Sequence, residues 1–236
     1  MRGPIKNQAF QVLRNRGLRI GTVLDVGVLT GTAELMAHFP QALHMLFEPV
    51  VEFNPEIARN YSRLAHEIVN VAVSDSTGET LLETYHMIDV PGHSFSHSNV
   101  TSEPTQGRAH RIVPKTSLDD FLKDRELPEP YLLKIDIDGH ELAAIAGAGE
   151  TLKKCAMVMV EVTIDELPER IAAIAAHGFT LFDLAEPCYY DNALYNCDAI
   201  LLRNDVHKRL FAQFDDDFDY AKYTMFVPPR PGRARG

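Results

Sequence analysis

Thr22-Val-Leu-Asp-Val-Gly-Val-Leu-Thr-Gly31 and, after an intervening helical stretch, Ala42-Leu-His-Met-Leu-Phe-Glu48 are the segments whose reading decides the fold. One short apolar run ends in Asp25 and a glycine turn, and a second ends in Glu48. Two such runs around a helix read as a β-α-β unit with a nucleotide-like site at the strand ends. Gly27 and Gly31 let backbone approach a ligand closely where the next helix starts. Glu48, about 20 residues beyond the turn, is placed to take both hydroxyls of a ribose. The bland alternative is a glycine turn that only joins a buried strand to a helix.

Spacing separates two ligand classes. A dinucleotide site wants Gly-x-Gly-x-x-Gly, because a pyrophosphate needs amides packed against it and a helix dipole behind it. Here Leu29 stands at the second glycine position and Asp25 precedes the turn. Asp25 repels a phosphate and suits a cation. S-adenosylmethionine (SAM), with a ribose, an adenine, a sulfonium, an amino group and no phosphate, fits that pattern.

At 236 residues, 45% hydrophobic and 24% charged, the chain has the composition of one ordinary globular α/β domain. No apolar run approaches the roughly 20 residues needed to span a bilayer. The first residues, Met1-Arg-Gly-Pro-Ile-Lys-Asn-Gln8, lack a signal-peptide core. A cytoplasmic protein without membrane contact is expected, with its three cysteines reduced. A net charge of -10 argues against a nucleic-acid partner. Oligomeric state is not readable.

Three parts are expected: an N-terminal helix within residues 1–20, a core domain over 21–214, and a partly flexible tail over 215–236. Glu67 to Val73 reads as a third strand ending at Ser74 and Asp75, which are adenine-edge candidates or simple turn residues. Asn54-Pro55 reads as a helix cap and first-turn proline. His86 to Arg111 reads as a long polar loop, which in a compact domain is functional or disordered. In it Ser94, Ser96 and His97 are acceptor-site candidates, and His93 and His97 candidate bases or metal ligands. Tyr131–Asp136 and Ala156–Glu161 read as further strands ending in acids. Phe179–Leu184 and Asp198–Leu202 read as a closing antiparallel hairpin around a Pro187–Asn196 loop.

Five pieces in register resemble the FkbM family of SAM-dependent methyltransferases. They are Leu24-Asp-Val-Gly27 with Gly31, Phe47-Glu-Pro49, Asn70-Val-Ala-Val-Ser-Asp75 with Gly78-Glu79, Thr116-Ser-Leu-Asp-Asp-Phe-Leu122, and Leu133-Lys-Ile-Asp-Ile-Asp-Gly-His-Glu141 with Gly147-Ala148. The family carries Asn where this chain has Leu29. The resemblance implies a Rossmann-like class I methyltransferase fold: a seven-stranded, mostly parallel sheet with helices on both faces and the last strand antiparallel. It implies SAM as methyl donor and a hydroxyl on a sugar or natural-product small molecule as acceptor. Asp25, Gly27 and Gly31 would shape the methionine end, Glu48 with Pro49 the ribose, and Ser74 and Asp75 the adenine. Asp136 would sit near the transferring methyl.

Methyl transfer from a sulfonium is an in-line displacement, and a hydroxyl acceptor must lose its proton. Asp136 and His140 are the leading pair, with His140 the first choice for base because it titrates near neutrality. In the bland alternative His140 hydrogen-bonds locally and Asp138 caps the helix. No resident metal is expected; a divalent ion on Asp136, Asp138 and Glu161 is weighed and not favoured. The competing functions are a non-catalytic SAM-fold binding module and, further off, a nucleotide-dependent oxidoreductase.

Overall fold

A computed structural model describes residues 2–90, 93–101, 103–213 and 218–227, and for 85–90 and 93–97 the main chain alone. In chain order the strands are β1 (Thr22–Val26), β2 (Leu43–Phe47), β3 (His66–Val69), β4 (Ala72–Val73), β5 (Gly78–Val90) and β6 (His93–Thr101). They continue with β7 (Ala109–Thr116), β8 (Tyr131–Ile135), β9 (Cys155–Thr163), β10 (Phe179–Tyr190) and β11 (Ala193–Arg203). The helices are α1 (Lys6–Asn15), α2 (Ala33–His38), α3 (Asn54–Asn60), α4 (Leu118–Leu122), α5 (Glu141–Ala146), α6 (Gly149–Lys154), α7 (Leu167–Ala175) and α8 (Asn204–Leu210).

Seven strands form the main sheet in the order β3-β2-β1-β8-β9-β11-β10. β11 is antiparallel to both of its neighbours, and the pairings from β3 through β9 are parallel. Strand order reverses between β1 and β8, which opens a crevice at their carboxyl ends, where doubly wound sheets bind ligands. Every residue of β1 and β8 is buried, because helices cover both faces of the parallel strands. Leu24, Val26, Leu133, Ile135, Val158 and Val160 face one side, under α4, α5, α6 and α7. Val23, Leu132, Met157 and Met159 face the other, under α1, α2 and α8. Helix α1 thus adds Ala9, Phe10 and Leu13 to the core of the domain it precedes.

Four departures from the sequence reading have physical causes. The third strand is two: β3 stays in the main sheet, while β4 joins a second sheet of order β4-β7-β5-β6. The chain switches sheets at Asn70-Val71, where Asn70 Nδ2 donates to the Glu48 carbonyl at 2.9 Å. Second, the expected long polar loop is mostly antiparallel strand, β5 pairing with both β6 and β7. Its hydrophobic signal is weak because this sheet buries little beyond Ala72, Leu82 and Val113, so strand pairing rather than side-chain burial shapes it. Third, the Pro187–Asn196 stretch continues the hairpin strands to a two-residue turn. Asp191 and Asn192 stand there at φ 48° and 63°, as a type I′ turn requires. Fourth, Asn54 is not a cap: a 3-10 turn over Val51–Phe53 runs straight into α3, and the Asn54 side chain binds Asn70 instead. The end of the tail lies outside the described residues.

Candidate active site

A cavity of about 510 Å³ lies over the carboxyl ends of β1, β2 and β8. Its floor is Val26, Gly27, Leu29 and Thr30. One wall is Phe47, Glu48, Pro49 and Phe53, another Val71, Ala72, Val73 and Leu82, and the far end Asp136, Ile137, Asp138 and Glu161. The second sheet closes the remaining side with Ser98 and Val100. The side chains of Ser94, Ser96 and His97, and of His93, lie outside those described; the main chain of Ser96 and His97 pairs with His86 and Tyr85.

The glycine turn is held from several directions. Gly27 N–H donates to the Phe47 carbonyl at 3.0 Å, and Lys134 Nζ donates to the Gly27 carbonyl at 2.5 Å. Leu29 N–H donates to Glu48 Oε2 at 2.8 Å. Thr32 N–H donates to the Tyr61 hydroxyl at 3.2 Å, and Asn60 Nδ2 to the Thr30 carbonyl at 2.8 Å. At Gly31 a Cβ would come 3.2 Å from the Tyr61 ring; Gly31 shapes the turn without lining the cavity.

Asp25 is fully buried and likewise does not line the cavity. β1 and β8 are in register with Asp25 opposite Lys134, so both side chains emerge on one face. Lys134 Nζ lies 3.2 Å from Asp25 and 3.5 Å from Asp136. Burial works against the Lys134 charge, but the two acids outweigh it and hold its pKa above the usual lysine range. Asp25 therefore neutralises an internal cation, and the cavity's acidic end is Asp136, Asp138 and Glu161. Lys134 is the residue the sequence reading passed over. Its signal was present: a lone lysine inside an apolar strand is rarely buried without a partner.

Glu48 is buried and uses each oxygen once, toward Leu29 N–H and toward Val50 N–H at 2.9 Å. Burial raises its pKa, opposed by those amides and by Lys134. Each carboxylate oxygen retains a second lone pair, so a ribose diol still finds acceptors. Ser74 and Asp75 lie beside the cavity rather than in its wall. Ser74 Oγ lies 2.9 Å from His140 Nε2 and 3.2 Å from Asp75, and Asp75 pairs with Lys115 at 3.5 Å. His140 belongs to this polar cluster, and burial lowers its pKa. Asp136 faces the cavity and His140 does not, so the structure separates the two.

The loop carrying Asp136 and Asp138 is built on Glu141, a fully buried acid. It accepts from Ile137 N–H and Gly139 N–H at 3.1 Å, and Arg170 Nη2 pairs with it at 2.8 Å. Among the described residues no group of three or more His, Cys, Asp or Glu is arranged to hold a metal ion.

Leu29 stands at φ 54° with its side chain half exposed. A left-handed conformation costs a branched residue roughly 1–2 kcal/mol, and Asn tolerates it better. Leu29→Asn is therefore expected to stabilise the protein by about 1 kcal/mol. Urea denaturation at fixed pH reads this, and an unchanged midpoint would show the turn unstrained.

A family model described as the Methyltransferase FkbM domain matches residues 25–185, more than half of the chain. The chain belongs to the FkbM family of SAM-dependent methyltransferases. Among curated relatives, this FkbM domain is 25% identical over 97 residues to the hexuronic acid methyltransferase AglP of Haloferax volcanii. That match covers 37% of this chain and 41% of AglP. Among solved structures it resembles Methyltransferase FkbM from Methylobacillus flagellatus KT, with a TM-score of 0.51 and 16% identity over 79% of this chain and 46% of that one. The chain thus spans less than half the length of either, and the structural likeness speaks for the fold. Four of the five pieces contribute residues to the one cavity, while Thr116–Leu122 lies outside its lining and packs Leu118 and Leu122 into the core. No helix among the described residues is long and apolar enough to cross a membrane.

Proposed function

We propose that this FkbM domain transfers a methyl group from SAM to a hydroxyl of a sugar or similar small molecule. The observation that carries the reading is the chemical division of one cavity. Phe47, Pro49, Phe53, Ala72 and Val73 make an apolar slot of the kind a purine fills, Glu48 offers lone pairs to a diol, and carboxylates line the opposite end. That end suits the positive sulfonium and amino groups, and the turn from Gly27 to Thr30 shapes the floor between the two. When bound, SAM supplies an activated methyl on a cationic sulfur. The protein's part is to orient an acceptor hydroxyl in line with it, keep water out, and receive a proton.

The acceptor enters, in this reading, past the Asp136–Asp138 loop at the acidic end, in the same cavity that Ser98 and Val100 of the second sheet help to line. AglP, by its name, acts on a hexuronic acid, which makes uronic acids and their neutral parent sugars the first acceptors to screen. The formal charge of -10 argues against a polyanionic acceptor.

Calorimetric titration with S-adenosylhomocysteine, with NAD as control, tests the cofactor. Saturable binding of the homocysteine compound alone is expected. Binding without turnover of any hydroxylated acceptor would favour a non-catalytic binding module, and binding of neither would remove the reading. Glu48→Ala is expected to weaken that binding at least tenfold, about 1.4 kcal/mol. It should also destabilise the fold by about 1–3 kcal/mol, because two amides lose a charged acceptor. Unchanged affinity would show that Glu48 serves the turn and not the ligand.

A further inference from the structure

We infer that Glu161, at the end of β9, is the catalytic base that takes the acceptor's proton, a role that rests on the methyltransferase reading above. Three independent placements converge on it. Glu161 lines the acidic end of the cavity together with Asp136 and Asp138. It shares with Met157 and Met159 the sheet face that carries Lys134 and Asp198, so its side chain reaches the crevice from the far side of β8. And Asn196 on β11 fixes it, with Nδ2 donating to Oε1 at 2.9 Å. That single donor leaves Oε2 for a hydroxyl.

The charges around Glu161 make it hold a proton unusually well. Asp136 and Asp138 face it from the β8–α5 loop, Glu141 from α5 and Asp198 from β11. The nearby cations are committed elsewhere. Lys134 is on Asp25 and Asp136, and Lys6 of α1 is 3.0 Å from Asp198. Arg170 of α7 bonds the Glu161 main-chain carbonyl at 2.7 Å and spends its charge on Glu141 and Glu166. Burial first, and then the surrounding acids, push the Glu161 carboxyl up to about 7. A base poised near the working pH serves proton transfer best. His140, held by Ser74 outside the cavity wall, has no such access.

The step balances simply. The acceptor oxygen forms a bond to the methyl carbon while the sulfur keeps the electron pair of the bond that breaks. The hydroxyl proton passes to the Glu161 carboxylate, which afterwards releases it to solvent. Asn196 accommodates both protonation states, since turning its amide over offers an oxygen to the protonated acid.

Glu161→Gln tests this with three readings on the full chain. First, melting: folding raises this group's proton affinity, so its stabilising contribution is full below about pH 4.5 and is lost as pH rises through about 7. The melting temperature of the variant minus that of the parent should rise between pH 5 and pH 8; a flat difference would overturn the electrostatic basis of the proposal. Second, S-adenosylhomocysteine should still bind the variant saturably, since Asp136 and Asp138 remain at that end to meet its amino group; loss of binding in the variant alone would place Glu161 in the cofactor site and overturn the base role. Third, turnover of the acceptor found by screening should fall about 10²–10⁴-fold, with the acid limb of the pH profile removed and partly restored in Glu161→Asp. Homocysteine-compound binding with parental turnover in the variant would overturn the base role alone. Loss of that binding in the parent itself would overturn the methyltransferase reading and the base role with it.

Discussion

Gly27→Ala is expected to destabilise the protein by more than about 4 kcal/mol, the range reserved for gross steric conflict. A Cβ at position 27 would lie 1.8 Å from the Asp136 carbonyl oxygen and 2.9 Å from the Ile137 side chain. The neighbour is main chain at the end of β8 and cannot rotate away, and Gly27 stands at φ 83°, where side chains are strained in any case. This glycine is thus first a condition for β1 and β8 to close side by side, and only then a floor for the ligand. Gly149→Ala is the matched control: its nearest neighbour would be 3.7 Å away, and the site is helical. It should be neutral or slightly stabilising. Denaturant unfolding of both variants decides the matter. A loss below about 1 kcal/mol at position 27 would mean that the strand ends move apart easily, contrary to the geometry.

The second large effect is expected at Glu141. Removing its carboxylate leaves Arg170, whose side chain is 3% exposed, with only Glu166 to compensate its charge. Two amides in the loop that carries Asp136 and Asp138 lose their acceptor as well. Breaking a buried pair from one side typically costs about 3–5 kcal/mol, so Glu141→Ala should fall in that range. Glu141→Gln keeps an amide acceptor and should lose less. Replacing both partners, as in Glu141→Met with Arg170→Met, should recover part of the loss, because the uncompensated charge is gone. If the double substitution were as costly as the sum of the singles, the two residues would be acting independently and the pair would not organise this loop.

Both effects sit inside the Leu133-to-Glu141 piece and its contact with the glycine turn. That piece reads as motif in the sequence, yet its residues divide their labour in three dimensions. Lys134 and Glu141 hold the backbone from below, and Asp136 and Asp138 face the cavity. His140 joins Ser74 in a separate cluster. A linear pattern carries no information about which way each side chain points once the helix starts, and φ values of 55° and 105° at Asp138 and Gly139 turn the chain sharply just there. That turn is why Asp136 and His140, four residues apart, part company.

By itself the sequence determined the parallel core, the glycine turn at the first strand end, the acid at the second, and the family. Each is a local signal: continuous apolar runs for strands buried on both faces, glycine where main chains crowd, polar residues where strands stop. The tertiary structure alone decided the fate of the charges and the second sheet. Asp25 meets Lys134 because β1 and β8 pair in one register across more than a hundred residues, and β5 to β7 form strands because they pair, though their side chains alternate poorly. Glu161 gains its high proton affinity from burial and then from acids on a loop, a helix and another strand, while the nearby arginine bonds its main-chain carbonyl and pairs with Glu141 and Glu166. Through-space electrostatics depends on distances that no spacing along the chain encodes, and so the groups that hold and move protons emerge only once the fold has brought them together.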